Sequence, residues 1–312
     1  MIRISVIIPT FRRNDGFLRA ALSVFEQDRL DGIELIAIDN SPEGEAIPVF
    51  QNLQRFAPIP FRWAHEPRPG VSHARNAGLL LARGELIAWL DDDEKAPPHW
   101  LKSMARVLHA THADCVFGPV RGTAPEDARG RAYFEKLYTR SGPERSGKIQ
   151  ETYGIGNSLH VRAHMLAEVA PFDVRANETG GEDDRLFAKA KRYGCTFAWA
   201  SEGWVEEHID ANRLTIGHAV KRAFAYGQGP SATAFRQGRG AAMLWHMGVG
   251  IVQAIVFALA AAPAALISRD AMLSVLDRAA RGLGKVFWMR EQRFYGAAAK
   301  ISPPGATAAA SP

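Results

Sequence analysis

Short apolar runs alternate with segments of helical periodicity along the first 200 residues, and this alternation limits the chain to few folds. The runs that predict buried strands are residues 4–8, 33–38, 61–65, 86–90, 114–120 and 196–200. Apolar residues at helical spacing predict helices over residues 14–27, 72–82, 98–110 and 182–193, with Ser72 as an N-cap. This order predicts an α/β protein with a mostly parallel, doubly wound sheet.

Two stretches interrupt the alternation. Residues 121–150 are polar and contain Gly and Pro, so they predict a crossover loop with a short helix. Residues 227–240 are rich in Gly, Ser and Ala and predict the exit from the α/β domain. We therefore assign residues 1–235 to that domain.

Polar clusters follow three of the predicted strands, at residues 10–13, 39–41 and 91–94. Ligands of such sheets bind beyond the carboxyl ends of the strands. The three clusters therefore predict a binding site at that edge of the sheet.

The strongest chemical signal is the acidic run Asp91-Asp92-Asp93-Glu94 after the strand ELIAWL. Adjacent carboxylates repel one another unless a cation neutralises them. Carboxylate oxygens favour Mg²⁺ or Mn²⁺. Asp91 and Asp93 are two residues apart and would project to the same side of an extended segment. The alternative is a solvated acidic loop in front of the next helix.

Weaker signals each have a structural alternative. Asp183, with Asp184 as the alternative, follows two glycines at a predicted helix start, where an acid serves as a general base or complements the helix dipole. Arg75 suits a phosphate but is also typical of an exposed helix arginine. Asp39 contacts a ligand or makes a turn, and His208 binds a metal or is structural.

The C-terminal region differs in character. Residues 244–267 form a run of 24 residues without a charge, which is long enough to cross a bilayer. Residues 271–288 predict a basic amphipathic helix of the kind that lies at a membrane interface. We expect residues 241–295 to associate with a membrane, and a buried helical hairpin is the alternative. Residues 296–312, rich in Ala and Pro, predict a disordered tail.

Composition excludes several classes of protein. Hydrophobic residues (47%) and charged residues (23%) fit a folded globular chain. Two cysteines are too few for a disulfide framework or a cysteine-based zinc site, and they favour a reducing compartment. The net charge is +5, and the basic residues gather near the apolar run, which favours a membrane surface over nucleic acid. The N-terminus shows no signal-peptide pattern, so catalysis is expected on the cytoplasmic side.

Five segments together resemble the inverting glycosyltransferases of family 2, which have the GT-A fold. They are SVIIPTFRR (5–13), ELIAIDNS (34–41), GVSHARNAG (70–78), ELIAWLDDD (85–93) and GGEDDRLF (180–187). They occur in the order of the family over about residues 3–208. The segments EPRPGVSHARNAG and LDDDE are most similar to bacterial members that build exopolysaccharides or other surface glycans on lipid carriers.

The resemblance implies a role for each matched residue. The implied donor-binding residues, for a UDP-sugar, are Pro9, Thr10, Arg12, Asp39, Arg75, Asp91 and Asp92. The implied metal ligands, for Mg²⁺ or Mn²⁺, are Asp93, Asp91 and His208, with Asp93 the most direct. Asp183 would be the catalytic base, at the second position of the ED motif, and Asp184 is the alternative.

The resemblance also implies an activity and a location. It predicts metal-dependent transfer of a sugar from a nucleotide-sugar to a hydroxyl of a lipid-linked glycan, with inversion, in surface polysaccharide biosynthesis. The location would be the cytoplasmic face of the inner (plasma) membrane of a bacterium. The competing hypothesis is a catalytically inactive, membrane-associated binding partner in a glycan-assembly complex. Loss of the acidic pair or of the ED motif would indicate that role, and both are present.

Overall fold

The computed structural model describes residues 2–177 and 180–290, so the predicted tail at 296–312 lies outside the described residues. The strands are β1 (Ile4–Thr10), β2 (Ile33–Asp39), β3 (Phe61–His65), β4 (Leu86–Trp89), β5 (Glu94–Lys95), β6 (Cys115–Phe117), β7 (Val120–Thr123), β8 (Gly147–Ile149), β9 (Ser158–Val161), β10 (Phe197–Trp199) and β11 (Val205–His208). The helices are α1 (Asn14–Phe25), α2 (Ile47–Gln54), α3 (Val71–Leu81), α4 (Trp100–Thr111), α5 (Arg131–Tyr138), α6 (Arg162–Met165), α7 (Glu182–Arg192), α8 (Ile216–Arg236), α9 (Gly240–Ile267) and α10 (Arg269–Val286). Two short 3₁₀ helices lie at Val174–Asn177 and Ala211–Arg213.

The central sheet has eight strands in the order β3-β2-β1-β4-β9-β6-β10-β8. Four of its pairings are parallel and three, all involving β8 or β9, are antiparallel. β1 lies between β2 and β4, so the direction of winding reverses there. This reversal opens a crevice beyond the carboxyl ends of β1 and β4, where ligands of such sheets bind.

Helices cover both faces of this sheet, as the uninterrupted apolar runs predict. In β1, Val6 and Ile8 point into one core, which includes Phe17 of α1 and Trp100 of α4. Ile7 points into the other core, with residues from α3 and α7. Because successive strand residues face opposite sides, a strand covered on both faces needs an apolar residue at every position.

The structure differs from the sequence-based prediction between β6 and β9. The single strand predicted over residues 114–120 is two strands, because the chain turns at Gly118 and β7 joins a second sheet, β5-β11-β7. A Cβ at Gly118 would overlap the Gly203 carbonyl oxygen, so the turn requires glycine. The predicted loop over 121–150 contains part of β7, α5 and β8. α2 and the antiparallel β9 were not predicted.

The predicted N-cap of α3 is also different. Ser72 lies inside the helix, which begins after Gly70 in the left-handed region (φ 139°). The cap comes from far along the chain, because the Ser72 amide donates to Oδ1 of Asn177 at 2.8 Å. The structure thus fixes the start of α3 against the segment that precedes α7.

Residues 227–240, predicted as the exit from the domain, are mostly helical, since α8 extends to Arg236. The small residues there are a packing surface, because a Cβ at Gly227 would overlap the Arg281 carbonyl of α10. α8, α9 and α10 pack together, and a third core that includes Phe134, Ala219 and Leu273 joins α8 and α10 to α5. Among the described residues, only α9 is long and apolar enough to cross a membrane, with a mean hydropathy of 2.2.

Candidate active site

A cavity of about 450 Å³ opens at the carboxyl ends of β1, β2 and β4. Its floor includes the strand-end residues Pro9, Thr10 and Asn40 and the run Asp91–Asp93. α3 contributes Arg75 on one side. The opposite wall comes from later segments of the chain and includes Tyr138, Arg140, Glu207, Arg213 and Arg222. The polar clusters at 10–13, 39–41 and 91–94 therefore meet at one edge of the sheet, as predicted.

Asp92, which follows β4, forms hydrogen bonds with residues at and just after the end of β1. Its Oδ2 accepts a hydrogen bond from Thr10 Oγ1 at 2.8 Å, and its Oδ1 accepts one from Arg13 at 3.0 Å. Asp92 is buried, so these charge-assisted bonds fix the loop that carries the acidic run. Asp92 therefore positions its neighbours Asp91 and Asp93.

Asp91 is the most open carboxylate of the run, with a side chain 40% exposed. A Cβ on Gly156 would overlap its carboxylate, so glycine is required to leave this space. Loss of solvent around the carboxylate, together with repulsion from Asp93 and Asp92, raises the pKa of Asp91 to about 6, although Arg75 opposes this. Burial and repulsion from Asp91 also raise the pKa of Glu94 well above its usual value. Negative charge is therefore in excess at this point.

Arg75 lies at the centre of the site and is almost fully buried, with a side chain 6% exposed. Its Nη1 donates to Asp183 Oδ1 at 2.7 Å and to Glu182 Oε1 at 2.9 Å, and its Nη2 lies 4.0 Å from Asp91 Oδ1. Burial opposes its charge, but these carboxylates raise the pKa of Arg75. The guanidinium therefore joins the start of α7 to the acidic run.

A basic and aromatic wall faces the acidic run. Arg13 and Arg213 both contact Asp93 Oδ2, at 2.7 and 3.2 Å. Burial and the nearby carboxylates Asp93 and Asp91 raise the pKa of Glu207 to about 8, although Arg213 opposes this. The Arg213 and Arg222 guanidiniums lie against the ring of Tyr138. The wall therefore places cations within reach of an anionic ligand in the cavity.

Comparison with known proteins decides the family. Residues 5–166 match the model of the family described as Glycosyl transferase family 2. The chain belongs to glycosyl transferase family 2. The matched residues contain β1, β2, β4 and the acidic run, so the family segment builds the floor of the cavity.

Named relatives of this family 2 glycosyltransferase include proteins of bacterial glycan synthesis. The succinoglycan biosynthesis protein ExoM of Rhizobium meliloti is 30% identical over 79% of this chain and 80% of its own length. The GalNAc(5)-diNAcBac-PP-undecaprenol beta-1,3-glucosyltransferase of Campylobacter jejuni is 32% identical over 38% of each chain.

Solved structures show that the fold is GT-A. The mannosyltransferase PcManGT of Pyrobaculum calidifontis, in complex with GDP-Man and Mn²⁺, superposes with a TM-score of 0.62 at 19% identity, over 93% of this chain and 88% of that chain. TarS 1–349 of S. aureus, in complex with UDP, superposes with a TM-score of 0.53 at 14% identity, over 70% of this chain and 66% of that chain. The predicted GT-A fold is confirmed.

The acidic run of this family 2 glycosyltransferase fits a divalent cation. Asp91 and Asp93 offer the oxygen ligands that Mg²⁺ and Mn²⁺ prefer. Loss of solvent, and next to it repulsion from the neighbouring carboxylates, raises the pKa of Asp91, and a cation would relieve that repulsion. Within residues 2–177 and 180–290, no three His, Cys, Asp or Glu side chains form a ready metal cage. A cation held here by one or two carboxylates would complete its coordination with phosphate and water oxygens.

Three of the predicted donor-binding and metal-binding residues do not line the cavity. Arg12, with φ of 55°, turns its side chain outward to Glu43 and Glu45. Asp39 is buried and accepts hydrogen bonds from Ser41 and from the Ala46 amide, so it organises the turn after β2. These contacts match the structural alternative considered for Asp39.

His208 is the third. Its neighbour Glu207 lines the cavity and His208 does not, as expected for adjacent residues of a strand, which point to opposite faces. The His208 backbone amide donates to the carbonyl oxygen of Asp93 at 2.8 Å. Its Nε2 is buried without a hydrogen-bond partner, and burial lowers the pKa of His208.

The structure also separates the two acids proposed as base. Asp183 lies against Arg75, and its Oδ2 accepts a hydrogen bond from the Ile155 amide at 3.0 Å. Asp184 is exposed at the next position of α7. Neither acid lines the cavity itself. Asp183 contacts Arg75, which does, whereas Asp184 is exposed to solvent.

Sequence reasoning missed Arg13 and the residues of the opposite wall. Arg13 stands beside Arg12 in a segment that was recognised, but only its contact with Asp92 shows which arginine turns inward. Arg140, Glu207 and Arg213 come from parts of the chain with no motif of their own. A signal for Glu207 was its alternation with Glu206 along a short strand, which places one of the two on the cavity side.

Proposed function

We propose that this family 2 glycosyltransferase transfers a sugar from a nucleotide-sugar to a hydroxyl of a lipid-linked glycan acceptor, in surface polysaccharide biosynthesis at the cytoplasmic membrane face. The contacts of Arg75 carry the proposal. One buried guanidinium contacts Asp183, the proposed base, and lies 4.0 Å from Asp91 of the acidic run. The groups needed for leaving-group and acceptor chemistry therefore lie on two sides of one side chain.

The relatives support the choice of substrates. Solved neighbours hold UDP or GDP-Man, which supports a nucleotide-sugar donor, and the resemblance of the sequence favours a UDP-sugar. The name of the Campylobacter jejuni relative states an undecaprenol-linked substrate, which supports a lipid-linked acceptor. The name of ExoM states a role in succinoglycan biosynthesis, which supports an exopolysaccharide product.

The donor would occupy the cavity with its nucleotide beside Pro9, Thr10 and Asn40. Asp91 and Asp93 would hold Mg²⁺ or Mn²⁺, and the bound cation would balance charge on the donor diphosphate and on the departing nucleotide. Arg75 lies beside this position and would stabilise the same charge. Arg13, beside the end of β1, and Arg213, on the opposite wall, would bind phosphate oxygens.

Asp183 would accept the proton of the acceptor hydroxyl. Hydrogen bonds from Arg75 and from the Ile155 amide fix the orientation of its carboxylate. General-base assistance of this kind contributes about 10² to 10⁴ in rate. A single direct displacement at the anomeric carbon inverts its configuration, so an α-linked donor would give a β-linked product.

The test measures UDP release from a panel of UDP-sugars with Mn²⁺, Mg²⁺ or EDTA. We expect metal-dependent release from one donor, and a loss of about 10² or more in Asp183→Asn and in Asp93→Ala. Asp184→Asn is the matched control, because it neutralises the exposed neighbour, and it should retain activity. Loss in Asp184→Asn alone would move the base by one residue. Absence of metal-dependent UDP binding at millimolar nucleotide would reject the catalytic proposal in favour of the binding-partner hypothesis.

A further inference from the structure

α9 buries its small residues and exposes its large ones. Its buried positions are Gly250, Ala254 and Ala264. Its exposed large residues are Leu244, Trp245, Val249, Ile251, Val252, Ile255, Val256, Leu259, Leu266 and Ile267. At 3.6 residues per turn these ten side chains fall on one side of the helix, within about half its circumference. A helix in the core of a soluble protein shows the reverse arrangement.

Close packing fixes α9 along α10. A Cβ on Gly250 would stand 2.7 Å from the Gly282 carbonyl oxygen, so the two backbones approach closely. Gln253 donates to the Arg278 carbonyl at 2.8 Å, and Lys285 Nζ donates to Gln253 Oε1 at 2.6 Å. α9 therefore cannot change its tilt unless α10 moves with it.

α10 is in turn fixed to the α/β domain through α5. The Tyr133 amide donates to Asp270 Oδ1 at 2.7 Å, and the Tyr133 hydroxyl donates to Asp277 Oδ1 at 3.2 Å. Leu273 packs in the core formed by α5, α8 and α10. α10 thus contacts both α5 and α9, and α8 packs against α9 and α10 beside them.

This packing is incompatible with α9 crossing a bilayer. α9 is about 42 Å long, and a crossing would place most of it in the hydrocarbon core of about 30 Å. α10 would enter beside it with its charged residues Arg269, Asp270, Asp277, Arg278, Arg281 and Lys285. Charged side chains are costly in hydrocarbon, and the contacts with Tyr133 would bring α5 towards the lipid as well.

The paired ends of α9 and α10 have the composition of a membrane interface. Trp245, near the start of α9, is 71% exposed. The ring centroids of Phe235, in the last turn of α8, and Trp288, just after α10, are 4.8 Å apart. Arg239 and Arg290 are exposed at the same end. Tryptophan and arginine are typical of the headgroup region, where arginine also meets anionic lipid.

We propose that α9 lies parallel to the membrane within one leaflet, with its exposed apolar side in lipid and α10 between it and the α/β domain. We assign an anionic lipid bilayer to the apolar side, because the exposed side chains run from Leu244 to Ile267 and the band begins beside exposed arginines. The inference deepens the membrane location in the proposed function and does not depend on the transfer reaction.

Depth measurements on lipid vesicles test this orientation. An environment-sensitive fluorophore is attached to Ile251→Cys, Leu259→Cys or Ile267→Cys in the full chain with Cys195→Ser, and vesicles of phosphatidylglycerol and phosphatidylcholine are added. We expect all three labels to enter lipid at the same shallow depth and to be reached only by lipid-borne quenchers of the outer leaflet. A label on Leu80→Cys, an exposed leucine of α3, is the control and should remain in water.

A spanning α9 gives a different pattern. The Leu259 label would then lie near the bilayer centre, and the Ile267 label would react only with a quencher trapped inside the vesicles. Either observation overturns the proposal.

Charge substitution tests the occupant of the band. Val252→Glu with Leu259→Glu should weaken cosedimentation with the same vesicles about tenfold or more, because two buried apolar side chains are lost from lipid. Leu80→Glu is the matched control and should not change it. Circular dichroism and UDP binding report whether the variant remains folded. If the double variant binds vesicles normally and loses self-association instead, the occupant is a second copy of the chain and the proposal is wrong.

These readouts separate the two proposals. Vesicle binding and label depth are measured without any donor. Normal vesicle binding without metal-dependent UDP binding would reject the proposed transfer reaction and leave the in-plane helix intact. Metal-dependent UDP release from a chain that does not bind vesicles would support the reaction and reject the in-plane helix.

Discussion

Asp93 Oδ2 receives two guanidinium groups, from Arg13 and Arg213, at the atom proposed to bind a divalent cation. Cations that share one ligand atom compete for it. The two arginines therefore occupy the atom of Asp93 that we propose as a metal ligand. When a cation and an anionic donor bind, the cation would take this atom and the arginines would contact the donor.

This competition gives a prediction for Arg213→Gln. Mn²⁺ should bind severalfold more tightly in the absence of nucleotide, because one competing cation is removed, while UDP should bind more weakly. Electron paramagnetic resonance of free Mn²⁺ and calorimetry with UDP measure the two affinities. Arg12→Gln is the control, since Arg12 pairs with Glu43 and Glu45 on the surface. An unchanged Mn²⁺ affinity would mean that Asp93 is not a metal ligand.

The site residues that directly follow strands could be predicted from the local sequence. Thr10 and Asp91 follow strands, and the carboxyl ends of parallel strands meet, so their proximity follows from the order of elements. Glu207 and Arg213 reach the same cavity through tertiary packing of β11 and the 3₁₀ helix after it. The pattern of apolar residues does not predict their position in the cavity, because that position depends on contacts between segments far apart in the sequence.

At the level of elements, β9 contains a buried histidine with a consequence for acid stability. Burial, with a contribution from Arg75, lowers the pKa of His160 from 6.5 to about 3. Below pH 6.5 the unfolded chain therefore binds a proton that the folded chain does not. The free energy of unfolding should fall between pH 6.5 and about 3, by at most about 1.4 kcal/mol per pH unit for one group.

We expect His160→Gln to make the free energy of unfolding less dependent on pH between pH 7 and pH 5, because the contribution of His160 is removed. Urea unfolding at pH 7, 6 and 5 gives the free energy of unfolding for both chains, and the comparison is between slopes rather than absolute values. His109→Gln, which replaces an exposed histidine of α4, should keep the wild-type slope. Equal slopes for His160→Gln and wild type would contradict the prediction.

The elements of the fold could be predicted where an apolar run or a helical period is contained within one segment of the chain. β1, β2 and α1 are uninterrupted or strongly periodic, and their order fixes the winding of the sheet. β9 was not, because a four-residue strand between loops has too little pattern, and its antiparallel direction depends on β4 and β6 on either side. Glycines at 227 and 229 indicated a linker, since sequence alone does not distinguish a flexible glycine from one that lets two helices approach.

For the whole molecule, the contact between α8 and α10 determines how the C-terminal helices are attached. Gly227→Ala should lower the free energy of unfolding by about 1–3 kcal/mol, because its Cβ would overlap the Arg281 carbonyl. Gly217→Ala, in the first turn of the same helix and also with open space around it, should be neutral or stabilise by up to about 1 kcal/mol. Thermal and urea unfolding measure both changes. Equal effects would show that the close approach of these helices does not contribute to stability.

α10 contacts α9 on one side and α5 on the other, and the end of α5 supplies Tyr138 to the wall of the cavity. With α9 in the leaflet, the distance from the cavity to the lipid surface is set by helix diameters and cannot vary freely. If the acceptor is lipid-linked, as proposed, the enzyme would select it by how far its reactive hydroxyl stands above the bilayer. A glycan that has grown by several sugars would hold its end beyond that height, so the product of one reaction would no longer reach the cavity.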